Sequence, residues 1–178
     1  VRFLILKGIP LANTLYGNSA ARISNDIDLL VDPKDLYNTI TYFLCNNFTL
    51  VNKIDLKTFP EWKKKYLKWV DYSIVFQKKI NQETIEIDLH WYLSNTRDKL
   101  PNFKKLWKRK KTVYIDGMKL FTLNNYDEFL HLCIHAAKDR WMNKGNLLEI
   151  YLLSKKISKF NIKESGKISF VRQSAIAT

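Results

Sequence analysis

The segment RISNDIDLLVD, residues 22 to 32, is the feature that most limits how this chain can fold. Apolar and acidic residues alternate within it, and successive side chains of a β-strand point to opposite faces. Its apolar residues therefore share one face, whereas Asp26 and Asp28 project from the other. The pattern predicts a rigid strand that carries a pair of carboxylates, an arrangement typical either of a metal site or of a solvated strand face.

A second alternating segment, TIEIDLHWYL, begins at residue 84. Its polar residues Glu86, Asp88 and His90 alternate with isoleucine, leucine and tryptophan, so they share one face of a strand. The segment VDYSIVFQ lies shortly before it and is a plausible partner in a hairpin. The chain is therefore predicted to contain two strands with polar faces.

Strand and helix patterns alternate along the rest of the chain, which predicts an α/β (α+β) protein with a mixed sheet and flanking helices. Asn125 and Glu128 form a capping-box pattern, which predicts the start of a helix. We expect a first domain over residues 1–124 and a helical lobe over residues 125–160 packed on it. Residues 161–178 show no sustained period and are expected to form a poorly structured tail.

The net charge of +13 points to anionic partners. Basic residues concentrate in two runs, which comprise Lys63, Lys64, Lys65 and Lys68 in the first and Lys104 to Lys111 in the second. Such runs attract nucleic acid or nucleotide phosphates, and they are equally typical of the solvated surface of a lysine-rich chain. The interleaved Trp62, Tyr66 and Trp107 would stack on bases only if they are exposed.

No apolar run approaches the length of a membrane span, and the start VRFLILKG is too short for a signal peptide. We therefore expect a cytoplasmic protein without membrane contact, and a strand-like segment at residue 2 suggests a piece of a longer chain. Cys45 and Cys133 lie in no CxxC spacing, so both are predicted to be buried thiols.

Four segments together resemble the uncharacterised nucleotidyltransferase family of the polymerase-beta-like superfamily. They are LILKGIPLANTLYG, RISNDIDLLVD, IEIDLHW and HLCIHAAKDRW, and the resemblance extends over roughly residues 3 to 153. It implies a nucleotidyltransferase-type mixed sheet with a C-terminal helical lobe. It also implies metal-dependent transfer of a nucleoside monophosphate from a nucleoside triphosphate, such as ATP, to a hydroxyl, with release of pyrophosphate.

The resemblance implies that Asp26, Asp28 and Asp88 are the catalytic metal ligands, with Glu86 ranked behind Asp88. Carboxylate oxygens are the ligands that Mg²⁺ prefers, and two Mg²⁺ or Mn²⁺ ions would stabilise the attacking and the leaving oxygen. The acceptor stays open among a small molecule, a protein and RNA.

Nucleotide phosphates also need hydrogen-bond donors. Lys7 and Gly8 occupy the turn between the first strand and a helix, where backbone N–H groups bind phosphate. Arg22 and Ser24 resemble the arginine and the small polar residue that often precede the acidic pair in this family, and either would contact phosphate. Ile9 departs from the family's pattern of Gly followed by Gly or Ser, because it brings neither a hydroxyl nor freedom at positive φ.

Two other functions are compatible with the same residues. The basic runs favour a toxin-like nucleotidyltransferase that modifies transfer RNA. The departure at Ile9 favours a non-catalytic, basic RNA-binding protein of the same fold. The three carboxylates argue against the second alternative, because a protein without the chemistry has no physical reason to keep like charges together.

His131 and His135 have the i, i+4 spacing of a zinc pair on a helix. No HExxH glutamate and no obvious third ligand accompany them. We therefore expect buried structural histidines at these positions.

Overall fold

A computed structural model of the chain describes residues 1–22, 24, 26–51, 60–95 and 100–157. The strands in these ranges are β1 (Phe3–Leu6), β2 (Asp26–Val31), β3 (Thr49–Leu50), β4 (Ser73–Ile80), β5 (Glu83–His90), β6 (Lys111–Ile115) and β7 (Met118–Thr122). The helices are α1 (Gly8–Tyr16), α2 (Leu36–Cys45), α3 (Glu61–Val70), α4 (Phe103–Lys108), α5 (Asn125–Lys138) and α6 (Lys144–Lys155), with a short 3-10 helix at Ser19–Ala21. This mixture of helices and strands confirms the predicted α/β (α+β) class.

The strands form one mixed sheet, in the order β3-β4-β5-β2-β1-β7-β6. The central strand, β2, is antiparallel to β1 and parallel to β5. In the β2–β5 register Asp28 lies opposite Asp88, and Asp26 lies opposite Glu86. The sheet therefore brings the two acidic strands side by side, although they are far apart in the sequence.

The two faces of β2 contribute to different hydrophobic clusters. Val31 is buried with Phe76 of β4 and with the apolar residues of α2. Leu30 is buried with Leu6 of β1 and with residues of α4. Because side chains alternate along a strand, Asp28 lies on the same face as Leu30. The predicted alternation is thus reproduced, with the carboxylates on the face opposite α2.

Helices α5 and α6 pack against the first helix of the chain. Phe129 and Leu132 of α5 share a buried cluster with Leu11 of α1 and Leu153 of α6. Burial of these apolar side chains stabilises the packing of the two C-terminal helices on α1. The domain boundary at residue 124 stays a prediction, and the predicted tail lies outside the described residues.

The N-terminal cap of α5 differs from the predicted one. Asn124 is the cap residue, and its side-chain oxygen accepts hydrogen bonds from two backbone N–H groups of the first turn, at 3.0 Å each. The predicted capping box of Asn125 and Glu128 is therefore wrong. The Glu128 carboxylate instead accepts a hydrogen bond from the backbone N–H of Lys7. The Glu128 side chain is buried on the inner face of α5, so it does not reach back to the cap.

Within the described ranges, no helix combines the length and the apolar composition that crossing a membrane requires. Cys133 is buried as predicted, but Cys45 is exposed, so that prediction is wrong. Helix α2 buries Leu36, Ile40 and Phe43, and its last residue falls on the opposite, solvent-facing side.

Candidate active site

The acidic residues of β2 and β5 meet at one place in the sheet. Asp28 and Asp88 are neighbours across the two parallel strands, and His90 follows on the same face of β5. Nε2 of His90 lies 3.1 Å from Oδ1 of Asp28 and 3.1 Å from Oδ2 of Asp88. Ligand atoms of these three residues lie within 4.8 Å of one another, and in the described part of the chain no other group of three or more does so.

Lys7 adds a positive charge to this cluster. Its Nζ lies 3.5 Å from Oδ2 of Asp28, and only 9% and 10% of the two side chains are exposed. The backbone of Lys7 has φ 47°, a left-handed conformation that is uncommon outside glycine. Its N–H donates to Oε1 of Glu128 at 3.1 Å. Lys7 is thus held at both ends by carboxylates, and its side chain lies on Asp28.

These contacts change the ionisation of the cluster. Burial by itself raises the pKa of Asp28, but the hydrogen bond with His90 and the Lys7 ammonium outweigh burial and lower this pKa below its usual value. Burial by itself lowers the pKa of His90, but its hydrogen bonds to Asp28 and Asp88 raise this pKa above the usual value. The site therefore favours an ionised Asp28 and a protonated His90.

The donor atoms suit a hard divalent cation. Asp28 and Asp88 offer the carboxylate oxygens that Mg²⁺ and Mn²⁺ prefer. Oδ1 of Asp88 is buried, and it has no hydrogen-bond partner among the residues that the structure describes. A buried carboxylate oxygen without a partner is unfavourable, so a cation would satisfy it. The two carboxylates can therefore serve as ligands, with His90 bridging them.

The cluster borders an open cleft of about 680 Å³. Asp26 and Glu86 line this cleft together with Asp28. Asp26 is exposed at the first position of β2, and it is not part of the group of close ligand atoms. The structure thus brings Asp28 and Asp88 together and places Asp26 beside them, on the cleft.

Three of the four predicted phosphate-binding residues, Gly8, Arg22 and Ser24, line the same cleft, whereas the fourth, Lys7, is buried against Asp28. Oγ of Ser24 donates to the backbone oxygen of Asp26 at 2.9 Å, and Nη1 of Arg22 lies 3.4 Å from this Oγ. Nε of Arg22 donates to Oε1 of Glu149 at 2.7 Å. The polar residues before β2 are therefore joined both to the start of the acidic strand and to α6.

The turn that opens α1 shows how the chain accommodates Ile9. The positive φ angles fall on Lys7 and Gly8, both at 47°, and Ile9 already lies inside the helix. No freedom at positive φ is therefore needed at position 9. A Cβ atom built on Gly8 would lie 3.6 Å from Oγ of Ser24, so a hydroxyl is available beside the same turn.

His131 and His135 of α5 do not belong to the group of close ligand atoms. His131 is fully buried, and neither of its ring nitrogens has a partner among the described residues. Burial lowers the pKa of His131 well below its usual value and lowers the pKa of His135 to about 4. Both rings are therefore neutral at physiological pH, as expected for structural histidines.

Contacts of three residues at this site were not predicted: those of His90, Glu128 and Glu149. His90 carries a local signal, because strand alternation places it on the face of Asp88. The two glutamates carry no such signal, since their contacts to Lys7 and Arg22 join positions 121 and 127 residues apart.

Solved structures share this fold. The crystal structure of ANT(2")-Ia in complex with adenylyl-2"-tobramycin matches with a TM-score of 0.56 at 12% identity, over 96% of this chain and 87% of that one. A solution structure of ANT(2'')-Ia matches with a TM-score of 0.55 at 12% identity, over 98% and 82% of the two chains. An antigenic nucleotidyltransferase-like protein from Paracoccidioides brasiliensis matches with a TM-score of 0.55 at 11% identity, over 97% and 79%.

At identities this low, the matches to solved structures show a common fold and no more. No curated protein sequence matches the chain. The family described as uncharacterised nucleotidyltransferase matches residues 1–162, a range that includes both acidic strands, the turn before α1 and helices α5 and α6. On this match, which spans most of the sequence, the chain belongs to the family of uncharacterised nucleotidyltransferases.

Proposed function

We propose that this protein transfers a nucleoside monophosphate from a nucleoside triphosphate to a hydroxyl acceptor and releases pyrophosphate, with divalent metal as cofactor. The observation that supports the proposal most strongly is the position of Asp28 opposite Asp88, beside a cleft that Arg22 lines. Phosphoryl and nucleotidyl transfer depend on carboxylates that hold metal and on cations that bind phosphate oxygens. Both kinds of group are adjacent here.

Asp28 and Asp88, with Asp26 beside them, are the proposed ligands of two Mg²⁺ or Mn²⁺ ions. When bound, such ions supply positive charge at the reacting phosphate and at the leaving oxygen. We assign Asp88 to the acceptor side of the site, as the resemblance to the family implies, and its buried Oδ1, which has no partner within the described chain, is the oxygen that a metal ion would contact. Lys7 neutralises Asp28 and so holds that carboxylate in place.

The triphosphate is proposed to bind at the turn that opens α1. The N–H groups of Gly8 and Ile9 lie in the first turn of this helix, where backbone N–H groups lack helical partners and attract anions. Arg22 and Ser24 line the cleft at the same place and add a positive charge and a hydroxyl. The backbone N–H of Lys7 is occupied by Glu128 and is not part of this set.

The proposed acceptor carries a hydroxyl, and its class stays open among a small molecule, a protein and RNA. The net charge of +13 attracts anionic acceptors at long range. Asp26, Asp28 and Glu86 line the cleft itself, so the net charge does not decide against a cationic acceptor such as the tobramycin of the neighbour's adenylyl-2"-tobramycin.

The function is tested by incubating the protein with each α-labelled nucleoside triphosphate, Mg²⁺ or Mn²⁺, and a fractionated cell extract. We expect label to appear in one fraction, with pyrophosphate released in equal amount and with no signal in EDTA. Metal and nucleotide together are also expected to raise the melting temperature by mass action. The proposal is contradicted if no nucleotide yields label or pyrophosphate and the melting temperature does not change.

An exposed face of α3 favours RNA as the acceptor. Trp62, Tyr66 and Trp69 are 64%, 59% and 73% exposed, and their spacing places them on one face of the helix. Lys65 is also exposed on this helix. Aromatic side chains stack on unpaired bases, and lysines contact phosphates, so such a face suits a single-stranded segment of RNA.

Part of the second basic run packs within the protein, whereas Lys104, Lys105 and Lys108 are exposed. Trp107 stacks on Phe103 with ring centroids 5.8 Å apart, and Nζ of Lys110 lies 4.3 Å from the centre of the Trp107 ring. Nζ of Lys111 donates to Oγ1 of Thr14 at 2.7 Å, and burial lowers the pKa of Lys111. Because Trp107 packs against Phe103, the more exposed aromatic side chains are those of α3, and we place the proposed RNA contact there.

If α3 contacts RNA, we expect transfer RNA to bind at low salt and to quench or shift tryptophan fluorescence. Affinity should fall with salt, with a slope of log affinity on log salt of about −0.7 for each phosphate contact on single strands. Trp69→Ala should weaken binding by ~1–3 kcal/mol through lost stacking, whereas Trp107→Phe, a change in a packed ring, should leave it unchanged. Flat titrations at low salt would remove RNA from the proposed acceptors.

A further inference from the structure

One ion pair connects the cleft to the C-terminal helices. Arg22 lies between the 3-10 helix and β2, and Glu149 lies in the middle of α6. Nε of Arg22 is 2.7 Å from Oε1 of Glu149, and 21% and 6% of the two side chains are exposed. Glu149 is thus a buried carboxylate whose ion pair reaches the cleft.

Burial of this carboxylate is not explained by packing alone. A buried carboxylate is less favourable than an apolar side chain of similar size, even when it is paired. Oε2 of Glu149 is buried and has no hydrogen-bond partner among the described residues, so the second oxygen adds a further cost. Among the described residues, the hydrogen-bond partner of Oε1 is Arg22. This contact indicates that Glu149 acts through the guanidinium group of Arg22.

The guanidinium group has donors left for a ligand. Arginine carries five N–H donors in a planar fork, and Arg22 uses Nε for Glu149 and Nη1 for Ser24 at 3.4 Å. Nη2 makes no hydrogen bond to any residue that the structure describes. Since Arg22 lines the cleft, a triphosphate in the cleft can reach this group while Glu149 keeps its contact with Nε.

We propose that Glu149 is a positioning residue that holds the guanidinium of Arg22 in the orientation in which it binds the triphosphate. This inference rests on the proposed function, because it assumes that phosphate binds at the turn before α1. A long arginine side chain loses rotamer freedom when it binds a ligand, and a partner that fixes it beforehand reduces that loss. The opposite role, in which Glu149 competes with phosphate for Arg22, gives different results in the test below.

The test uses inorganic triphosphate with Mg²⁺ as the probe, because this ligand has no base, and measures its dissociation constant by calorimetry. We expect Arg22→Ala to weaken binding about tenfold. Glu149→Met, which replaces the carboxylate by an apolar side chain of similar size, should weaken it several-fold. Glu149→Gln keeps an oxygen that accepts from Nε, so its affinity should match or exceed that of the wild type. Lys144→Ala, at an exposed position of α6, is the control and should have little effect.

The double variant separates the two roles. If Glu149 acts through Arg22, Glu149→Met in the Arg22→Ala background should cause no further loss of affinity. Tighter binding by Glu149→Met than by the wild type, or an equal loss in both backgrounds, would overturn the inference and leave the proposed function intact. A wild-type protein that does not bind triphosphate with Mg²⁺ would contradict the proposed function itself.

A second measurement does not depend on whether Glu149→Met folds. The ¹⁵Nε–H signal of Arg22, assigned by its loss in Arg22→Lys, reports directly on the contact with Glu149. We expect this proton to stay protected from exchange when triphosphate is added, because the contact persists. Loss of protection on ligand addition would show that phosphate displaces Glu149, and the positioning role would be wrong.

Discussion

Asp28→Asn is expected to lower the rate of nucleotidyl transfer about a thousandfold while the protein still folds. The amide removes a negatively charged ligand at the proposed metal site, and ~4 kcal/mol of transition-state stabilisation corresponds to this factor. The amide oxygen can still accept the hydrogen bond that His90 makes to Oδ1 of Asp28, so the packing of the cluster is preserved. The measurement is the initial rate of pyrophosphate release with the nucleotide that yields label in the extract assay, together with a melting curve.

Glu83→Gln provides the matched control, because Glu83 is an exposed carboxylate at the start of the same strand that carries Asp88. It should retain the wild-type rate. Asp88→Asn should behave like Asp28→Asn, and the double variant should be no slower than either, because residues that hold one metal site act as a unit. A rate for Asp28→Asn within tenfold of the wild type would refute the assignment of Asp28 as a metal ligand.

Glu128→Gln is expected to make the folded protein more stable at pH 8 and to change its pH dependence. Burial raises the pKa of Glu128 from 4.5 to about 7. Between these values the folded protein holds a proton that the unfolded chain has lost, so Glu128 makes stability fall as pH rises from 4.5 to 7. Glutamine stays neutral and keeps the oxygen that accepts from the Lys7 N–H, which removes this loss of about 3 kcal/mol.

The free energy of unfolding in urea, measured for both proteins at pH 5 and pH 8, tests this prediction. The variant should gain little at pH 5, where most of the wild-type Glu128 is protonated in the folded state, and should gain most at pH 8. Glu83→Gln, at an exposed position, should change neither value. Parallel stability curves for wild type and Glu128→Gln would show that Glu128 is ionised in the folded protein throughout this range.

Local sequence patterns were sufficient to predict the two faces of β2, because alternation is a property of adjacent residues. Local patterns do not predict the pairing of β2 with β5, since this pairing joins Asp28 to a strand about sixty residues away. The residues alone could not decide between Glu86 and Asp88 as the partner of Asp28, and the resemblance to a family ranked them. The observed register places Asp88 opposite Asp28 and Glu86 opposite Asp26.

The contacts of Glu128 and Glu149 could not be predicted for a related reason. Asn125 and Glu128 have the spacing of a capping box, but Asn124 offers an equally good cap one position earlier. The choice between them depends on which face of α5 packs on α1, a tertiary property. Likewise, the second basic run resembled a solvated surface throughout, yet its last residue, Lys111, is partly buried and donates to Thr14 and Asn125.

The contacts of Lys7 and His90 bear on whether the acidic site can form before a metal ion binds. Two acidic side chains that share a site repel each other, which raises the pKa of one of them unless a positive charge lies nearby. Here the Lys7 ammonium lies beside Asp28, and His90, whose pKa is raised by its hydrogen bonds, bridges Asp28 and Asp88, so side chains of the protein itself offset the repulsion. We therefore expect the chain to fold without metal, in contrast to small domains whose folding depends on it. On the proposed function, folding and metal binding would then be separate steps, and the ion would bind and leave with each nucleotide.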